Sequence, residues 1–356
     1  MGNNFSAIKE FYSNTTSRKK LNSEYCIVFV YNSPDTINDP IYYSECVYNE
    51  ELNMILNSFR SVAEYVYHFD GEIAFAEKIN NLKNKHNFIL VYSMAQNVIG
   101  VGRRSFIPLL CDYYGLINIG ANTKSTFLAR SKDIMFRLVK GIDGVVIPNT
   151  YFVNSPEDLL SIPPRIINDV FLLKPTDESA SIGLEVIGNT NLSKEKILNH
   201  LQDYMSRFPS FCIQEFIEGR EVAVPLLRFE NNYYCPGISE VDFPEGMSYL
   251  DYDAVAIGSY GYIEYDGKLS DQLINSSIKV AKLFGFKSIS RVDFRIRGEI
   301  CYIEDINVNP TVSEYNGVNP LFCNQLNSNP DCVYKLMVFA ALNEYGLLEP
   351  SLNYSP

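Results

Sequence analysis

The stretch from Ser290 to Pro310, SRVDFRIRGEICYIEDINVNP, constrains this chain most, because it carries charge where a packed strand would carry apolar residues. Two β-like runs meet at Arg297-Gly298-Glu299, a turn-forming step, so the segment is expected to fold as a hairpin. Alternate residues of a strand share a face, so Arg291 points with Asp293, and Asp305 with Asn307. An acidic hairpin can simply solvate its outer face. Here Asp293, Asp305 and Asn307 sit inside apolar runs (Val292, Phe294, Ile296; Ile303, Ile306, Val308), where an ionised group is costly unless something pairs with it. A metal would supply that pairing. Hard oxygen donors suit Mg²⁺, with Mn²⁺ as an alternative, and Mg²⁺ takes only one or two protein carboxylates before completing its shell with water and phosphate oxygens. The face therefore reads as a nucleotide-phosphate site with Asp293, Asp305 and Asn307 as metal ligands.

A second signal is VFLLKPTDESASIG, residues 170–183. Lys174 ends an apolar strand, where a lysine without an anion is expensive. The residues that follow are small and hydroxylated, with one glycine, so their N–H groups can approach phosphates closely. Other charged positions are ambiguous when taken alone. Lys132, on a helix expected over residues 126–139, reads as surface charge, and Glu218-Gly219-Arg220-Glu221 as a polar turn. Arg103 or Arg104, in a basic turn at residues 100–104, is either a bidentate partner for a substrate carboxylate or a solvated arginine.

Together these segments resemble the ATP-grasp superfamily, in the branch of D-alanine–D-alanine ligase and related carboxylate–amine ligases. That family shows Arg-x-Asp, then Glu-x-Asn with a Pro three residues after the Asn. Arg291, Asp293, Asn307 and Pro310 match, the family's Glu falls on Asp305, and Glu304 sits one residue early. The family's phosphate lid reads Lys-Pro, then Glu-Gly-Ser-Ser-x-Gly. Lys174, Pro175, Glu178, Ser181 and Gly183 match, while Ser179 and Ala180 replace the Gly and first Ser.

The resemblance implies further roles. It places Lys132 at the first nucleotide lysine, Gln214 and the backbone of Glu215, Phe216 and Ile217 at the adenine edge, and Glu221 at the ribose hydroxyls. It makes Arg291 and Ser181 catalytic, with ATP and Mg²⁺ as cofactors. The implied reaction joins the carboxylate of an amino acid or small peptide to an amine through an acyl phosphate, releasing ADP. D-alanine–D-alanine ligase activity proper and a non-catalytic nucleotide-binding protein are the alternatives. The family's mobile-loop lysine falls on Val255, and no Lys or Arg occurs from Phe229 to Asp266 to replace it. Past Pro310 the second-substrate motif is replaced by residues 311–317, where Glu314 would repel a carboxylate and welcome an amine. A homodimer is the assembly the family suggests.

The implied architecture is α/β, an ATP-grasp fold behind an N-terminal Rossmann-like βαβ domain. The expected units are residues 1–121, residues 122–214 with the lid, and residues 215–356 with the metal site. The first third alternates strand and helix signals, as a largely parallel sheet requires. A formal charge of −12 argues against a nucleic-acid partner, since phosphate backbones demand a basic face. No apolar run approaches the roughly 20 residues needed to span a membrane. Eight scattered cysteines without a C-x-x-C pair indicate neither a disulfide framework nor a structural zinc site, which fits a reducing cytoplasm.

Overall fold

The structure is a computed structural model that describes residues 5–37, 39–97, 100, 102–163, 170–188, 193–313 and 316–348; Glu314 lies outside these residues. The first apolar run forms β1 (Tyr25–Tyr31), buried from Cys26 onward, as suits a strand covered on both faces. It lies inside a parallel sheet ordered β2-β1-β3-β4, with β2 at Val66–Asp70, β3 at Phe88–Ser93 and β4 at Ile117–Asn118. Ile55, Leu56, Phe59 and Val62, the apolar stripe of the helix Asn49–Val62, cover one face beside Phe29. Phe75, Ile79 and Ile107 cover the other beside Val28 and Val30. The segment after β2 forms two short helices, Glu72–Ala76 and Ile79–Lys83, and Phe75, Ile79 and Leu82 stay buried across the break.

Two antiparallel sheets follow. One is ordered β5-β8-β6-β7, with β5 at Thr150–Val153, β6 at Phe171–Pro175, β7 at Glu185–Ile187 and β8 at Phe211–Glu215. β5 begins only at Thr150, because Pro148 has no N–H for a ladder; Val146 makes an isolated bridge to Tyr302. The other sheet runs β12-β11-β9-β13-β14 with β10 beside β9. Its strands are β9 (Arg220–Phe229), β10 (Asn232–Tyr234), β11 (Ser239–Asp242), β12 (Gly261–Glu264), β13 (Ile289–Arg297) and β14 (Ile300–Asn307).

One face of this last sheet is core. Val222, Val224, Val292, Phe294 and Ile296 pack with Leu273, Val280 and Phe284 of the helix Ser270–Phe284 and with Met135, Phe136 and Val139. Each such side chain contributes roughly 1.5–3 kcal/mol by leaving water, and the alternation that buries them turns every intervening residue to the opposite face. The helix expected over residues 126–139 is two, Thr123–Arg130 and Lys132–Val139, broken at Ser131 with ψ 100°. The Lys132 amide leaves the helical pattern and donates to Thr176 O at 2.9 Å, which ties the second helix to the end of β6. Among the described residues no helix is long and apolar enough to cross a membrane, and no cysteine is joined in a disulfide.

Candidate active site

The polar face of the β13–β14 hairpin forms one bank of a cleft of about 590 Å³. Arg291 pairs across the ladder with Asn307, and Asp293 with Asp305, so all four point the same way. The register then slips between Asp293 and Phe294, because Phe294 faces Ile303 and Glu304 has no partner. Glu304 is thus the extra residue of a β-bulge. It lines the cleft along with Asp305, so two successive residues of one strand reach the same cavity.

The Arg291 guanidinium grips Asp293 with two parallel bonds, 2.7 Å from Nε and 2.8 Å from Nη2, and Asn307 Nδ2 donates to the same carboxylate at 2.9 Å. Burial pushes the Asp293 carboxyl up, the Asp305 charge adds to the push, and the Arg291 fork opposes it. A divalent cation between these two facing carboxylates would relieve that strain. Among the described residues no cluster of three or more His, Cys, Asp and Glu is arranged for a metal. The hairpin offers two carboxylates and an amide, which is as many protein ligands as Mg²⁺ uses beside phosphate.

Facing the hairpin is Lys174, at the end of β6. Its Nζ donates to Glu304 Oε2 at 2.7 Å and to Gln214 Oε1 at 2.8 Å. Burial lowers its pKa, but the Glu304 carboxylate outweighs that and the net shift is upward. Lys132 also lines the cleft, its ammonium hydrogen-bonded to Glu178 O; burial pulls its pKa down. In the lid, Ser181 has φ 55° and donates to Leu250 O at 2.9 Å, joining the lid to the segment that carries Val255. Gly183, at φ +72°, is needed for packing: a Cβ there would lie 2.6 Å from Phe208 and 2.7 Å from Pro175.

At the crossover into β9, Gly219 has φ +144°, and a Cβ would meet Ile296 O at 1.9 Å. Glu221 then points into the cleft, held by Arg295 Nη2 at 2.6 Å; burial raises its pKa. Arg295 is itself anchored by Ser248 O at 2.7 Å. The sequence offered a signal for it, since it continues the Arg291 and Asp293 alternation. The adenine-edge set is only partly brought together. Phe216 lines the cleft, whereas Gln214 is wholly buried beneath Lys174, Ile217 is core, and Glu215 turns to Arg297 (2.8 Å) and Asn149 (2.7 Å).

The opposite bank was largely missed by sequence reasoning. Glu45, beyond β1, is met by Arg130 (3.3 Å), Arg103 and Arg104 (3.5 Å each) and hydrogen-bonded by Ser179 of the lid. These cations outweigh the cost of burial and hold its carboxyl down at about 2. Arg103 also pairs with Glu178 at 2.7 Å, beneath the Tyr42 ring. Only Arg103, Arg104, Glu178 and Ser179 carried a reading beforehand; Glu45 ends a 3-10 turn and Arg130 a helix, with nothing local to mark either. Glu51, nearby, has a carboxyl oxygen without a hydrogen-bond partner, and burial lifts its pKa to about 7.

The chain is similar to several known proteins. A family described as the D-ala D-ala ligase C-terminus matches residues 163–336, which span the lid, crossover and hairpin. A D-alanine–D-alanine ligase of Aquifex aeolicus is 25% identical over 266 residues, 73% of this chain and 84% of its own length. The D-alanine–D-alanine ligase of Bacillus anthracis, solved in complex with ATP, superposes with a TM-score of 0.66 at 13% identity, covering 91% of this chain and 99% of its own. A D-alanyl-alanine synthetase A of Vibrio cholerae gives 0.67 at 11% identity, covering 90% and 99%. Residues 163–336 thus resemble that ligase family, and the fold over nine-tenths of the chain is the one these solved D-alanine–D-alanine ligases share. The relatives bear the name of a ligase, and one of the solved structures holds ATP.

Proposed function

We propose that the chain activates the carboxylate of an amino acid or small peptide as an acyl phosphate, releases ADP, and joins the acyl group to an amine other than D-alanine. The observation that carries this is the cleft face on which Arg291, Asp293, Asp305 and Asn307 oppose Lys132, Lys174 and Ser181. In this reading Asp293, Asp305 and Asn307 hold Mg²⁺, which screens the charge of the phosphates. Lys132, Lys174, Glu178, Ser181 and Gly183 form the phosphate site. Glu221 takes the ribose hydroxyls, and Gln214 and residues 215–217 border the base. Arg291 faces the negative charge that grows as the phosphoryl group moves to the carboxylate. Positioning and charge do most of this chemistry, which is why no Ser, Cys or His nucleophile is required.

Residues 1–121, 122–214 and 215–356 are the proposed units, and the cleft draws on all three. D-alanine–D-alanine ligase activity is favoured by the relatives' names, but the first-substrate bank built on Glu45 and three arginines argues for another substrate. Val255 lines the cleft where the family's lysine would stand, which favours a non-catalytic nucleotide binder as the remaining reading. A panel of amino acids and small peptides assayed for ATP-dependent phosphate release separates the three. With a carboxylate labelled in ¹⁸O, label must appear in inorganic phosphate and ADP must accumulate; AMP would sink the mechanism. A homodimer is the proposed assembly, checked by light scattering.

A further inference from the structure

Arg130 is buried, its side chain 6% exposed, and it lines the cleft. Its Nη1 is committed to Glu45 and Ser179. Among the described residues its Nε and Nη2 have no hydrogen-bond acceptor, and Glu178 Oε2 makes only a long ion pair with Nη2, at 3.6 Å. The Nε–Nη2 edge is the side of a guanidinium that grips a carboxylate with two parallel bonds. A buried donor pair left without an acceptor is costly, so the arrangement implies an absent acceptor.

Charge agrees with geometry. Arg103, Arg104 and Arg130 share Glu45 and Glu178, three cations to two anions. Burial and the Arg130 charge push Arg104 down to about 10, as expected where positive charge is left over. Gln96 Nε2, whose oxygen already accepts from Arg104 Nε, is a further buried donor without an acceptor. Lys132 and Lys174 already serve the phosphate end, whereas this cluster holds carboxylates in both of its present pairings.

We propose that the open edge of Arg130, flanked by Arg104, seats a substrate carboxylate distinct from the one activated beside Arg291. The enzyme then selects substrates that carry a second, unreacting carboxylate. This rests on the ligase reading above, and its test can fail separately. Succinate and glutarate, titrated calorimetrically in the presence of Mg²⁺ and ADP, should bind at least tenfold tighter than their monoamides. Arg130→Gln should abolish that preference and leave ADP affinity unchanged, and Arg130→Lys should restore part of it. Because Arg130→Gln removes the nearest of the three guanidiniums around Glu45, the paired change Arg130→Gln with Glu45→Gln tests the same point with that acid neutralised as well. A preference that survives in both variants overturns the proposal. So does a loss of ATP affinity relative to ADP with dicarboxylate binding intact, which would assign the edge to the terminal phosphate. Absence of phosphate release with every substrate overturns the ligase reading and leaves the calorimetric contrast standing.

Discussion

The two banks of the cleft use the same charged groups in different stoichiometry. On the hairpin bank the pairs run one to one: Arg291 with Asp293, Lys174 with Glu304, Arg295 with Glu221. On the N-terminal bank three guanidiniums divide two carboxylates, and Glu51 has no cation. Strand geometry explains much of the first pattern, since register sets Glu221 opposite Arg295 and Arg291 and Asp293 alternate on one strand. No register links the second, in which the short turns Pro40–Glu45 and Arg103–Ser105, the end of the helix Thr123–Arg130 and residues 178–179 converge from separate parts of the chain. A matched bank is set to hold one geometry through a reaction, and an unmatched one is set to receive charge.

The comparison breaks most visibly at Arg291. Replacing it by Ala should lower turnover by about 10²–10³-fold, read as phosphate release, while calorimetric ATP affinity stays near wild type. If affinity falls in step with turnover, the hairpin bank binds and does not catalyse. Next in size is Glu304→Ala, which leaves Lys174 buried without its anion. A loss of roughly 3 kcal/mol in urea unfolding is expected, as for breaking one partner of a buried pair, and Asp305→Ala should instead abolish Mg²⁺-dependent turnover. Stability lost by both in equal measure would erase the distinction between the two acids.

On the other bank, Glu51 tests the unmatched acid. Its folded pKa of about 7 lies above the unfolded value, so the native state holds the proton more tightly. That contribution is complete below about pH 4.5 and is lost as pH rises towards about 7. Glu51→Gln should flatten the pH dependence of stability over that window, by about 2 kcal/mol allowing for partial exposure; an unchanged slope would mean that Glu51 finds a partner. The smallest effect is expected for Arg103→Ala, about 1 kcal/mol, because Glu45 and Glu178 retain other arginines. A cost as large as that of Glu304→Ala would show that this bank is matched after all.

Legibility followed the same division. The hairpin, Lys174 and the parallel sheet could be read because charge interrupting an apolar alternation is a local signal. Arg130 and Glu45 sit in sequence that resembles any exposed turn, and their meaning comes only from residues far away along the chain. The motif that implies an adenine-edge place for Gln214 does not show that strand alternation also sets its side chain beneath Lys174. The break at Ser131 was invisible because the amide that causes it bonds outside its own helix.

The bulge at Glu304 has a consequence for how such a site changes over generations. Without that residue Ile303 would run straight to Asp305, Phe294 and Asp293 would keep their opposite numbers, and the hairpin would be regular. A three-base insertion or deletion at this point would therefore add or remove the acid that neutralises Lys174 without moving a residue on either side. The anchor for one lysine is, in this sense, a detachable part of the gene.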